Sequence, residues 1–269
     1  MGFVALVSND DGIGAAGLRA LVRALSSRGF RVYVAAPRNP MSGTSKSFKM
    51  PARFGVVSVD GASGAWWVDS TPATAVYVAL RRLLPEAPDV IVSGVNKGPN
   101  MGLEDFFTSG TIGAAIEGSL QGFHSIAVSL AIEGEGVLDD YMVAAEIAAS
   151  IAHVVASEKP QGFNLVNVNV PQGRPRGALI TGLAYNNYEI DIDVSDDSKL
   201  VARKDSINER YWDRSHGTDV WAVMQGYVAI TPIDLKRITE AINGGMKGKD
   251  YSYLAEAAMR AFSGPHIRR

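Results

Sequence analysis

An α/β protein built on a doubly wound, mostly parallel sheet is what this sequence predicts, and three patterns predict it. The run Phe3-Val4-Ala5-Leu6-Val7 is apolar without alternation, as in a strand buried on both faces. Leu18, Leu21, Val22 and Leu25 then recur at i, i+3, i+4 and i+7, one face of a helix closed by Gly29. Residues 31–36 return as a second apolar strand stopped by Pro37, so the chain opens with a βαβ unit and a parallel first pair.

The alternation continues. Thr71 and Pro72 read as the N-cap and first position of a helix. Ala73, Val76, Tyr77, Leu80, Leu83 and Leu84 carry it until Pro85 and Pro88. Residues 89–93 are the next buried strand, and 94–102 a loop rich in glycine and asparagine. Ile112, Ala115, Ile116 and Leu120 mark a helix, 125–130 a strand, 139–157 a long helix and 163–170 a strand cut by Pro171. This order is Rossmann-like. Beyond Pro171, Ile190, Ile192 and Val194 alternate with Asp191 and Asp193, and Leu200-Val201-Ala202 returns after a turn, a projecting hairpin over about 186–203. Residues 219–224 and 227–231 read as a second hairpin around Gln225-Gly226. Leu235, Ile238 and Ile242 predict a helix, Gly244-Gly245-Met246-Lys247-Gly248-Lys249 a linker, and 251–262 a last short helix with an apolar stripe at Leu254, Ala257, Ala258 and Ala261. The expected organisation is one α/β domain over 1–243, hairpin included, and a C-terminal extension over 244–269 that serves self-association.

Composition narrows the function. The 26 basic and 28 acidic residues nearly balance, and no Lys/Arg run offers a surface to a nucleic acid polymer. There is no cysteine, which removes disulfides, thiolate metal sites and cysteine nucleophiles. The first residues lack the pattern of a signal peptide, and no apolar stretch approaches the ~20 residues of a membrane span, so a cytoplasmic, membrane-free protein is expected.

Four polar loops interrupt this apolar framework. Ser8-Asn9-Asp10-Asp11-Gly12 ends the first strand with adjacent carboxylates, at the sheet end where α/β folds bind ligands. Two such charges repel, and a fold that keeps them usually supplies a cation. Ser42-Gly43, after the second strand, offers a hydroxyl. Asn96 and Asn100 lie in Ser93-Gly94-Val95-Asn96-Lys97-Gly98-Pro99-Asn100-Met101-Gly102, and Asn96 is a neutral oxygen ligand that hard cations accept. Ser109-Gly110-Thr111 opens a helix whose free N–H groups make an anion site. Together these groups hold a divalent cation and a phosphate at once, the chemistry of metal-assisted phosphoryl transfer to water. Gly12, Gly14 and Gly17 match a dinucleotide fingerprint in spacing, but Asp10 and Asp11 stand where the pyrophosphate would approach. No P-loop or Gly-x-Ser-x-Gly elbow is present. Of the four histidines, His153 reads as packing within an apolar helix and His124 as a weak general-acid candidate near the anion loop.

In order and in residues these loops closely resemble the survival protein E (SurE) family of metal-dependent nucleotidases. The resemblance rests on Ser8-Asn9-Asp10-Asp11-Gly12, Ala36-Pro37 with Ser42-Gly43, Thr71-Pro72, the Ser93–Gly102 loop, Ser109-Gly110-Thr111-Ile112-Gly113-Ala114-Ala115-Ile116-Glu117-Gly118, Asn167-Val168-Asn169-Val170-Pro171 and Gly226-Tyr227-Val228-Ala229-Ile230-Thr231-Pro232. It implies a phosphatase acting on 5′- or 3′-nucleoside monophosphates, with one divalent cation per subunit, Mg²⁺ or Mn²⁺, on Asp10, Asp11, Ser42 and Asn96. Asp10, Asp11 and Asn96 would be catalytic, and Asn9, Ser42, Gly43, Asn100, Ser109, Gly110 and Thr111 would hold substrate. It also implies dimers or tetramers that exchange the hairpin and C-terminal elements. Where family members commonly carry Tyr ahead of the anion turn, this chain has Phe106-Phe107-Thr108. Two alternatives share an acidic first-strand loop. A haloacid-dehalogenase-like phosphatase spaces its aspartates one residue apart, whereas these are adjacent; a magnesium-binding receiver module is about half this length.

Overall fold

The chain builds β1 (Val4–Ser8), α1 (Ala16–Ser27), β2 (Arg31–Pro37), β3 (Phe54–Val56), β4 (Gly64–Val68), α2 (Pro72–Val78), β5 (Val90–Lys97), α3 (Gly102–Thr108), α4 (Gly110–Leu120), β6 (Ser125–Ala131), α5 (Leu138–Glu158), β7 (Leu165–Pro171), β8 (Ala178–Ile180), β9 (Ile192–Val194), β10 (Leu200–Ala202), α6 (Asp219–Met224) and β11 (Val228–Ile233). The coordinates are a computed structural model that describes residues 2–132, 137–185, 192–194, 200–202, 213–246 and 252. By packing the chain divides into Met1–Ile233 and Asp234–Arg269. The second unit begins with α7 (Leu235–Met246).

Nine strands form one sheet in the order β3-β4-β2-β1-β5-β6-β7-β11-β8. The six from β4 to β7 are mutually parallel. β3 and β11 join antiparallel to β4 and β7. Because successive strand residues point to opposite faces, each central strand fills two cores. Val7 and Val92 meet Leu21 and Leu25 of α1 and Ala145 and Ala148 of α5. Leu6 and Ile91 meet Val76 of α2 and Ala114 of α4. Each fully buried leucine or isoleucine contributes roughly 1.5–3 kcal/mol. The chain leaves β1 for β2 on one side, while β5, β6 and β7 extend the sheet on the other. The strand order therefore reverses between β1 and β5, and that crevice is where α/β sheets bind ligands.

Several expectations change. Residues 219–224 are helix α6, capped by Thr218, whose hydroxyl accepts from Trp221 N at 3.2 Å, and not the first arm of a hairpin. Val220, Trp221 and Val223 have strand-type side chains, and six residues are too few for a helical period to show. β5 runs on to Lys97 through a register shift between Ser93 and Asn96, where the glycines had suggested a loop. The elements β3, β4, α3 and β8 had no expectation at all. The first linker glycines, Gly244 and Gly245, lie inside α7. β9 and β10 pair antiparallel as expected, whereas the turn at 195–199 and the stripe from Leu254 to Ala261 lie outside the described residues. α2 continues into a π turn at Ala79–Leu83.

Gly17 shows how closely α1 seats on the sheet: a Cβ there would lie 2.0 Å from the backbone oxygen of Val95. A Cβ at Gly14, in the same loop, would have nothing within 4 Å. Gly17→Ala should lower stability by at least about 2 kcal/mol, roughly 4–8 °C in melting temperature, while Gly14→Ala stays within about 0.5 kcal/mol. Thermal melts of the two variants decide it; equal shifts would refute the close approach.

Candidate metal and phosphate site

The loop after β1 folds back on itself as Asn9 Nδ2 donates to Gly12 O at 3.0 Å. This turns Asp10 toward the start of α4. Ser109 ends α3 and caps α4, its Oγ accepting from Ile112 N at 3.2 Å. The next residue, Gly110, must lack a side chain, because a Cβ would lie 2.9 Å from Asp10 Oδ2. Thr111 Oγ1 donates to Asp10 Oδ1 at 2.5 Å. The Asp10 carboxylate thus occupies the positive end of α4, where a negative charge is favoured. Asp11, half-buried, accepts from Lys97 N at 3.1 Å. That bond ties the acidic loop to the end of β5 and to Asn96.

Asp10 is 3 % exposed, and no basic side chain pairs with it among the described residues. Burial pushes its carboxyl up to about 6, the Thr111 hydroxyl opposes that shift, and the neighbouring Asp11 charge adds to it. Burial likewise raises Asp11, opposed by the Lys97 N–H and charge. Nearby, Ser8 Oγ, Asn9 Oδ1 and Ser93 Oγ are buried without partners, and Ser8 and Ser93 are register neighbours on β1 and β5. Asn96 spends its amide nitrogen on Gly98 O at 2.9 Å, which leaves its oxygen as the acceptor end. Two carboxylates, an amide oxygen and underused hydroxyls form a hard oxygen set, and it fits a cation of the Mg²⁺ or Mn²⁺ kind. Among the described residues no cluster of three or more His, Asp or Glu side chains of metal-binding form occurs, so any such site must rely on neutral oxygens as well.

The loop after β2 joins the site from the other side. Met41 N donates to Asp10 O at 2.7 Å, which brings the exposed Ser42 and Gly43 beside the acidic step. Ser45 N donates to Thr108 O at 2.9 Å, and Lys46 Nζ lies 2.7 Å from Glu117 Oε2 on α4. That contact is off the axis of a good hydrogen bond, so its attraction is chiefly Coulombic. Glu117 is 2 % exposed and also accepts from Gln121 Nε2 at 2.8 Å.

Asn100 is held more than it is presented. Its N–H donates to Asn169 Oδ1 at 2.8 Å, its C=O accepts from Asn167 and Asn169, both at 2.9 Å, and its Nδ2 donates to Ser129 Oγ at 2.7 Å. Asn167, Asn169, Ser129, Lys46 and Glu117 had no role assigned from sequence. The alternation Asn167-Val168-Asn169 inside a buried strand was the available signal. Asp219, fully buried and raised by burial, accepts from Gly102 N and Ala184 N at 2.8 and 2.9 Å and so fixes the start of α3. His124 precedes β6, at the sheet end opposite the site, with Nε2 2.9 Å from Pro160 O. It is therefore removed as a general-acid candidate, its ring packing edge-on to Phe163. His153 packs edge-on to Phe3 and Phe30.

Because folded Asp10 titrates near 6 and an unfolded aspartate near 3.8, the folded state holds the extra proton between those values. Without divalent cations, stability should therefore fall as pH rises from about 4 to about 6, by roughly 3 kcal/mol from Asp10. The raised Asp11 and Asp219 act with the same sign. Asp10→Asn should flatten this decline and Thr111→Val should move it to higher pH. Urea titrations with chelator at several pH values measure it; a decline identical in wild type and Asp10→Asn would refute the buried charge.

Comparison with known proteins identifies the family and the fold. The family model for survival protein SurE matches residues 5–190. The 5′-nucleotidase SurE of Archaeoglobus fulgidus is 36 % identical over 246 residues, covering 86 % of this chain and 90 % of its own. The 5′-nucleotidase SurE 1 of Thermus thermophilus is 37 % identical over 259 residues, covering 90 % and 98 %. The crystal structure of the SurE protein from Aquifex aeolicus superposes with a TM-score of 0.71 at 30 % identity, covering 89 % of this chain and 98 % of that one. With a family model matched over residues 5–190, relatives 36–37 % identical over most of both chains and a shared fold, the chain belongs to the SurE family.

Proposed function

We propose that this chain is a divalent-cation-dependent 5′-nucleotidase that releases phosphate from nucleoside monophosphates. The names of its relatives support the activity. The observation that carries the mechanism is Asp10, buried against the N-terminus of α4 with Asp11 beside it. A buried carboxylate with a second one beside it and no basic partner among the described residues supports a cation at this place. Asp10, Asp11, Asn96 and Ser42 would hold the cation, which when bound supplies Lewis acidity at the phosphoryl oxygen. The Thr111 N–H is taken by Asp10, so the Gly110 N–H orients the phosphate beside that carboxylate, and Gly43 leaves room for it. Asp10 or Asp11 aligns a water and takes one of its protons as its oxygen bonds to phosphorus. The ester P–O bond breaks, and the ribose oxygen leaves with the proton that the carboxylate had taken from water, returned directly or through solvent. Asn9, Asn100 and Ser109 set the loops that carry these groups.

Self-association belongs to the same proposal. Ile192, Val194 and Leu200 of the β9–β10 hairpin are 62, 71 and 72 % exposed, apolar surface that a second copy would cover. Among the described residues no helix is long and apolar enough to cross a membrane.

Wild type with Mg²⁺ or Mn²⁺ should hydrolyse AMP and lose that activity in chelator, and Asp10→Asn should lower kcat/KM at least ~100-fold while remaining folded. A panel of 5′- and 3′-monophosphates assayed for released phosphate measures both, and chelator-resistant turnover would overturn the reading. Light scattering should give at least a dimer; a monomeric mass would reject the assembly.

A further inference from the structure

A groove of about 630 Å³ lies between residues 50–54 and the end of α2 with its π turn. Its size is within the roughly 300–1,000 Å³ of small-molecule sites. Arg53, Arg81 and Arg82 line it together with Tyr77, Phe54 and Met50, and no carboxylate does. None of the acidic loop, Asn96 or the Ser109–Thr111 turn contributes to it.

The three guanidinium groups are not used alike. Arg53 and Arg82 are exposed and pair with no carboxylate among the described residues. Arg81 is held in place: it donates to Gln121 Oε1 at 2.6 Å and stacks over Tyr77 at 5.5 Å from the ring centre. Gln121 is itself fixed by Glu117. The aromatic wall is also ordered, since Phe48 meets Tyr77 edge-on at 5.1 Å. Phe54 and Met50 are 54 and 55 % exposed, large apolar side chains turned to solvent beside concentrated positive charge. Arginine forks match phosphate oxygens, and a flat ring covers exposed aromatic and methionine surface.

We propose that this groove is a second binding site, distinct from the acidic pair, for a phosphorylated aromatic small molecule of mononucleotide size. The phosphate sits on Arg53 and Arg82 with Arg81 prealigned beside them, and the ring lies against Phe54 and Met50. The site requires both parts of the ligand: inorganic phosphate lacks the apolar contact, and a nucleoside lacks the charge. It does not depend on whether the acidic pair hydrolyses anything.

The test titrates AMP, adenosine and inorganic phosphate into the full-length protein in chelator, by calorimetry. AMP should bind at a site that survives Thr111→Val and is weakened at least ten-fold by Arg53→Ala with Arg82→Ala. Adenosine and phosphate should bind that site at least ten-fold more weakly than AMP, and raised salt should weaken AMP. Both arginines are exposed, and an unchanged melting temperature verifies that the double variant is folded. AMP binding abolished by Thr111→Val and untouched by the arginine changes would overturn the proposal, as would no binding up to millimolar AMP.

Discussion

Asp10 is a negative charge nearly sealed from water, with a second carboxylate next to it and the N-terminus of α4 in front of it. Much of the surrounding structure is what this arrangement requires. Gly110 exists as glycine because Asp10 fills the space of its Cβ. Thr111 supplies the short hydrogen bond that offsets part of the desolvation. The N–H of Met41 and that of Lys97 bring the loops after β2 and β5 onto the same acidic step. A buried carboxylate without a cationic partner is costly. Its retention makes physical sense where a bound cation would complete the charge balance.

The loops around Asp10 are held by polar contacts that reach deep into the fold. Asn167 and Asn169 project from β7 to grip the backbone of Asn100, and Ser129 of β6 takes its side chain. Asp219, distant in sequence, fixes the start of α3 and thereby the position from which α4 begins. On the other side Lys46, Glu117, Gln121 and Arg81 form a continuous polar chain. It runs from the Ser42 loop along α4 to the arginine-lined groove. One short helix thus meets Asp10 at its first turn and anchors the groove at its last. Rigid elements with satisfied supporting bonds are what hold reactive groups in place.

The framework was legible in the residues because its signals are local. Unalternating apolar runs and the spacing of Leu18, Leu21, Val22 and Leu25 require only neighbours along the chain. The four polar loops stood out for the same reason, as charge and glycine interrupting buried strands. The edge strands β3 and β8, and β4 beside β3, were not legible: three to five residues with mixed exposure carry too little periodicity. Helix α6 was misread because its β-branched and aromatic side chains favour strand until tertiary packing and the Thr218 cap decide otherwise.

By itself the sequence determined the α/β class, the acidic step, the capped start of α4 and the family to which the chain belongs. Only the tertiary structure decided that Asp10, and not a free pocket, occupies the head of α4. Only it revealed that asparagines of β7 hold Asn100, that His124 lies at the far end of the sheet, and that three arginines gather beside exposed Phe54. The reason is that strand and helix periodicity is set by residues a few positions apart. Burial, charge and hydrogen-bond partnership are set by groups brought together from distant parts of the chain, and neither Lys46 nor Glu117 carries any local sign of the other.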